Sequence, residues 1–192
     1  GDYINTINKT SEKINWGNTA TAVATLLANT AQYSYSFLGW YEGDTKISSS
    51  LSLSVANITA NRTFTAIGSR TLNRYSLAFT ITPTGAGTVS GGGTYDYGSS
   101  IKSTATPATG YNFTKWVDEE GVESTTNPYP GWAITKNRTI QAVFTIKSYA
   151  INLAAQYRVA ESGDFTSGTT GGTVSGGGTF NQGTSVTAKA TP

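Results

Sequence analysis

The run Gly87-Thr88-Val89-Ser90-Gly91-Gly92-Gly93-Thr94 recurs without change as Gly172 to Thr179. Self-similarity at this level makes the chain an array of small units, each too short to bury a large core alone. Both copies continue alike, through an aromatic residue, a Gly at 98 or 183, an apolar residue at 101 or 186, and Ala-Thr-Pro ending at Pro107 or Pro192. A second match links the first and middle thirds. Tyr35-Ser36-Phe37 with Trp40 parallels Tyr111-Asn112-Phe113 with Trp116, and Asn61-Arg62-Thr63 parallels Asn137-Arg138-Thr139, both 76 positions on. The triple-Gly motifs lie 85 apart, and the surplus falls in Arg158 to Thr170, which reads as a loop insertion. The chain therefore divides into a first copy over 1–70, a complete middle copy over 71–147 and a partial third over 148–192. The first is degenerate at its front, where Ser11 to Asn18 replaces the triple-Gly motif and carries Trp16.

Within the middle copy, Tyr75, Leu77, Phe79 and Ile81 alternate with polar or small residues. A period of two predicts a half-buried strand. The third copy repeats it from Tyr149 to Tyr157. Further strands are predicted at Val89, over Ile101–Ala105 up to Pro107, over Tyr111–Val117, and through Ile140, Ala142 and Phe144. In the third copy they are predicted over Gly172–Thr179 and Val186–Ala190. Pro83–Gly87 and Asp118–Gly121 read as turns, and Asn137 as a turn residue able to take positive φ. The segment Ala20–Ala28 could form a short helix, but its alignment with the Ile101 strand favours β. The expected core of the middle copy is Tyr75, Leu77, Phe79, Ile101, Tyr111, Phe113, Trp116, Ile140, Ala142 and Phe144.

Composition removes several function classes. The 192 residues hold no Cys, His or Met. Disulfides, thiolate chemistry, Cys-based metal sites and the commonest general base are therefore absent. Charged residues are 12%, about half the usual ~25%, and the net charge of +2 comes with no basic run. Nucleic acid is not an expected partner. No stretch is long and apolar enough to span a membrane. The opening Gly1-Asp2-Tyr3 and the end at Pro192 suggest a piece of a longer protein.

The middle copy, from Gly87-Thr88-Val89-Ser90-Gly91-Gly92-Gly93-Thr94-Tyr95 through Ala105-Thr106-Pro107, Gly110-Tyr111-Asn112-Phe113-Thr114-Lys115-Trp116, Asn127-Pro128-Tyr129 and Asn137 to Phe144, resembles the divergent branch of the internalin B-repeat family. The first copy resembles it only in its second half, and the third only in its first. The resemblance implies modules related to the β-grasp fold, in tandem on secreted or surface-anchored bacterial proteins, with the role of a spacer, stalk or adhesive element and no catalytic residues to carry over. The fold class is then mainly β: tandem small modules, β-grasp-like or small β-sandwiches, with at most one short helix each. The location is extracellular, and the first partners are neighbouring repeats of the same chain.

Four features invite a site. Trp40 and Trp116 could stack on sugars, but a residue repeated at one position of each copy reads as core. Trp132 aligns with Ala56, so its position does not demand an aromatic. With nearby Tyr129 it is the candidate contact to a host or cell-surface glycan or protein. Glu42 and Asp44, repeated as Asp118 and Glu120, could bind Ca²⁺ or act as acid and base on a glycosidic bond. Too few carboxylates accompany them, and a solvated hairpin tip is the plainer reading. The Gly triplets lack the Lys and helix of a phosphate loop and fit bulges or close backbone approach. Catalytic residues, metal and cofactors are each expected to be none. The open third copy predicts pairing with the preceding repeat or, head to tail, with another molecule.

Overall fold

The computed structural model describes residues 3–7, 12–158, 165–167 and 172–192, and every regular element among them is a strand. The first copy holds β1 (Ile4–Ile7), β2 (Ala20–Leu26), β3 (Tyr33–Glu42), β4 (Thr45–Ser48), β5 (Ser52–Val55) and β6 (Thr65–Leu72). The middle copy holds β7 (Arg74–Thr82), β8 (Gly87–Ser90), β9 (Gly93–Asp96), β10 (Ser100–Pro107), β11 (Tyr111–Val117), β12 (Glu123–Ser124), β13 (Tyr129–Ala133) and β14 (Arg138–Ile146). The third holds β15 (Ser148–Ile151), β16 (Gln156–Arg158), β17 (Phe165–Ser167), β18 (Thr173–Ser175), β19 (Gly178–Asn181) and β20 (Lys189–Thr191). The segment that could have been helical, Ala20–Ala28, holds the strand β2, whose β-branched Thr21, Val23 and Thr25 suit a strand and which pairs on both sides, with β1 and with β5.

Contacts divide the chain into two units. One contains residues 1–76, 93–101 and 132–137, and the other 77–92, 102–131 and 138–192.

In the first unit two three-stranded sheets run in the orders β1-β2-β5 and β4-β3-β6. They close on Ala24, Trp40, Leu53 and Ala66, with Phe37, Val55 and Phe64 packed around these. The pairing of β3 with β6 shifts register at Phe37 and Gly39. Gly39 has φ +146, and a Cβ there would meet the Ser48 carbonyl at 2.6 Å, so this bulge requires glycine.

The five-stranded order of the middle copy is β12-β11-β14-β7-β9, and its second sheet runs β13-β10-β8. In the second unit β14 runs antiparallel to β11 and parallel to β7, with Leu77 opposite Arg138 and Phe79 opposite Ile140. Phe113 lies 5.2 Å from Trp116 and 5.8 Å from Phe144, and Phe79 lies 5.8 Å from Trp116, measured between ring centroids. Leu77, Ile101, Trp116, Ile140, Ala142 and Phe144 are buried as the alternation predicts. Tyr75, Phe79, Tyr111 and Phe113 are only half-buried, since each ring is wide enough to reach the edge of so thin a core. The triple-Gly run is a place of close approach. A Cβ on Gly91, at φ +94, would stand 2.6 Å from the Lys102 carbonyl.

Ser103 is fully buried, and its hydroxyl meets no hydrogen-bond partner among the described residues. An unpaired buried hydroxyl costs roughly 1–3 kcal/mol. Ala188 stands at the matching position of the third copy. Ser103→Ala is therefore expected to raise the unfolding free energy by about 1 kcal/mol, read from the urea midpoint at unchanged slope.

Several expectations need correction. Asn137 does not take positive φ, which among the described non-glycine residues belongs to Asn57. Its side-chain Oδ1 instead accepts hydrogen bonds from the Ser76 backbone N–H at 2.8 Å and hydroxyl at 3.2 Å, fixing the entry to β7. The insertion at Arg158–Thr170 is not a plain loop, because β17 lies within it and pairs antiparallel with β16. The strand expected over Tyr149–Tyr157 breaks after Ile151, and that over Val186–Ala190 shrinks to Lys189–Thr191. Among the described residues the third copy's pairs are β15-β19, β18-β20 and β16-β17, each a sheet of two strands.

Candidate functional site

The polar residues that repeat with the fold are the natural place to look for chemistry. Asp118 opens the β11–β12 turn, and its Oδ1 accepts from the backbone N–H groups of Glu120 at 3.0 Å and Val122 at 2.8 Å. This local capping shapes the turn, and Gly121 at φ +82 completes it. The other Asp118 oxygen accepts from Arg138 Nη2 at 2.8 Å. Arg138 also donates to Glu119 at 2.9 Å and Glu120 at 3.1 Å. The first copy builds a reduced form, in which Arg62 grips Glu42 through both oxygens at 2.8 and 2.6 Å. Arg62 also lies 4.9 Å over the Phe64 ring.

The repeated acids thus anchor Arg138 where β14 opens and Arg62 three residues ahead of β6. Sequence reading singled out both halves, Asn-Arg-Thr and the acidic turn, without joining them. Their common spacing of 76 was the available signal, since parts that recur together can touch in the fold. Among the described residues no group of three or more His, Cys, Asp or Glu side chains is placed to hold a metal ion.

Burial acts to raise the Asp118 pKa, but the N–H groups of Val122 and Glu120 and the guanidinium of Arg138 outweigh it, so the carboxyl sits below its ordinary 3.8. Glu42 is likewise lowered, first by its hydrogen bonds from Arg62. A carboxylate whose native pKa lies below its unfolded value adds stability above the unfolded value. It loses that contribution as pH falls through the native one. Thermal unfolding scans are therefore expected to show a stable plateau above about pH 5 and a decline below about pH 4. Asp118→Asn should flatten the decline.

Both repeated tryptophans are core. Trp40 and Trp116 are fully buried, and each indole Nε1 donates at 3.1 Å to a backbone carbonyl, Leu51 in one copy and Thr126 in the other. Their faces are closed to a ligand. Tyr129 is half-buried with its ring edge-on to Trp116 at 5.7 Å, and burial raises its pKa. Trp132 is half-buried on β13. Two aromatic features escaped sequence reading. Trp16 is 80% exposed, and Arg70 lies 5.2 Å over Tyr3 and 4.5 Å over Tyr33. Neither recurs in the other copies, so the repeat gave no signal for them.

The fold and these constellations define a class: small two-sheet β modules in tandem, with repeated polar groups engaged in holding strands. Within it, residues 77–148 match the family model of the divergent InlB B-repeat domain. The family comprises repeat domains typical of surface proteins and generally without catalysis. No curated protein and no solved structure matches the chain.

Proposed function

We propose that the chain is a non-catalytic repeat region of a bacterial cell-surface or secreted protein, whose role is that of a spacer or adhesive stalk. The observation that carries this reading is the reuse of one strand-holding device in two successive copies. In each, an indole is tied to a backbone carbonyl and an arginine to the acidic turn. Residues that recur in this way maintain a module, and stacked modules give reach. Few charges and the absence of Cys and His suit an inert extracellular spacer. The test is display of the chain between a membrane anchor and an epitope tag on a cell surface. The epitope should move outward with each added middle module, and cells should gain no ligand in glycan-array or pull-down screens. A specific ligand whose binding falls on Trp132→Ala would replace the spacer with a binding module using Trp132 and Tyr129.

A further inference from the structure

Successive copies are joined through a single residue. β6 ends at Leu72 and β7 begins at Arg74, with Asn73 between them. β14 ends at Ile146 and β15 begins at Ser148, with Lys147 between them. Both linking residues make the same backbone bonds. The Asn73 N–H donates to the Gln32 carbonyl at 2.9 Å, and the Asn73 carbonyl accepts from the Tyr97 N–H at 2.8 Å. The Lys147 N–H donates to the Gly110 carbonyl at 2.7 Å, and the Lys147 carbonyl accepts from the Gln182 N–H at 2.8 Å. In each joint the N–H reaches back into the copy before, and the carbonyl is held by the copy after. Tyr97 and Gln182 stand at equivalent places, each directly before a turn glycine, Gly98 at φ +83 or Gly183 at φ +84. The joint is therefore a repeated element of the fold, as the strands are.

The first joint adds a side-chain clamp. Asn73 Oδ1 accepts from the Ser34 hydroxyl at 2.6 Å. Asn73 Nδ2 donates to the carbonyls of Thr30 at 2.9 Å and Ala31 at 3.1 Å. The Tyr75 hydroxyl donates to the same Ala31 carbonyl at 2.6 Å, and its ring lies 6.4 Å from that of Tyr97. The side chain of Asn73 thus grips the first copy while its carbonyl is held by the middle one. Lys147 cannot form this clamp, because an ammonium donates and has nothing with which to accept. Residues 93–101 of the middle copy, Tyr97 among them, fall in the same unit as the first copy. The boundary of that unit does not follow the boundary of the repeat.

We propose that the rim Thr30–Ser34 of the first copy is the docking surface for the next repeat of the same chain, and that Asn73 locks the two copies into one cooperative folding unit. The partner is the following repeat because Tyr75, which reaches the rim, and Tyr97, which holds the Asn73 carbonyl, both belong to it. In a tandem array the stability of a copy is its own plus an interface term with its neighbour. Asn73 and Tyr75 supply that term here, and a one-residue link leaves no slack in which the copies could part while both stay folded. Asn73 acts as a positioning residue, since it fixes where the next copy begins. The inference goes beyond the spacer role, which a string of independent modules would also fill.

The test uses the whole chain in urea, with pulsed hydrogen exchange following peptides of β3 and β6 separately from peptides of β11 and β14. In the parent both sets should lose protection at one urea midpoint. Among the described residues the buried core of the first copy, Ala24, Trp40, Leu53 and Ala66, is smaller than that of the middle copy, so copies released from each other should unfold apart. Asn73→Lys, which gives the first joint the residue of the second, should split the midpoints by on the order of 0.5 M or more. Two glycines inserted between Asn73 and Arg74 should split them as well, although they remove no side chain and leave the clamp on the first copy in place. Separate midpoints in the parent overturn the proposal. So does a single midpoint in the glycine-insertion variant, which would mean that Asn73 only steadies the first copy.

Discussion

Trp116→Ala is expected to remove about 4 kcal/mol of stability, the range for a buried large aromatic cut to alanine. The indole is fully buried, with the rings of Phe79, Phe113 and Tyr129 at 5.8, 5.2 and 5.7 Å. Its removal opens a void where β7, β11 and β13 contribute side chains, and a thin two-sheet core has little freedom to collapse into it. The loss also strands the Thr126 carbonyl, which accepts the indole N–H. Trp116→Phe separates these effects. It keeps most of the apolar volume and should cost about 2 kcal/mol from the unpaired carbonyl and the residual gap. Urea unfolding of the full chain followed by circular dichroism measures both. A loss under about 1 kcal/mol for Trp116→Ala would contradict the core assigned here.

Arg138→Ala is the second large effect, expected at about 2 kcal/mol. The Arg138 side chain is 16% exposed and that of Asp118 8%, against 32% and 35% for Arg62 and Glu42. Stripping one partner from a largely buried pair can cost about 3–5 kcal/mol, and an exposed pair under about 1. Glu119 and Glu120 reach solvent, which places this cluster between the two limits. Without the guanidinium, three acidic side chains share one turn. The variant should therefore regain stability with added salt and on mild acidification, opposite to the parent below pH 4. Arg138→Lys should not restore it, because one ammonium cannot reproduce contacts from both Nε and Nη2. Arg62→Ala should cost much less.

Much of the module was legible in the residues. Alternation placed β11 at Tyr111–Val117 and put Ile140, Ala142 and Phe144 on one buried face of β14. Period-two patterning reports which face of a strand meets the core, and that is a local property. Pro83–Gly87 and Asp118–Gly121 turn as their Gly and Asp content predicts, with Gly85 and Gly121 at positive φ. The repeat identified Trp40 and Trp116 as core, since the same side chain in the same place of each copy meets the same surroundings.

The sequence by itself determined most strands of the middle copy and their inward faces, because these depend on neighbours a few residues away. Only the tertiary structure decided which strands lie side by side. Nothing local in β7 says that it runs parallel to β14, some sixty residues on, or that Arg138 opens that strand by closing on the Asp118 turn. Nothing local in Tyr149–Tyr157 says that it breaks after Ile151 and resumes only at Gln156, for its alternation is as good as that of β7. A strand's length is set by the partner that takes up its backbone hydrogen bonds, and the sequence of one strand does not name its partner. The same pattern therefore gives nine residues of strand beside β14 and four where β19 is its partner.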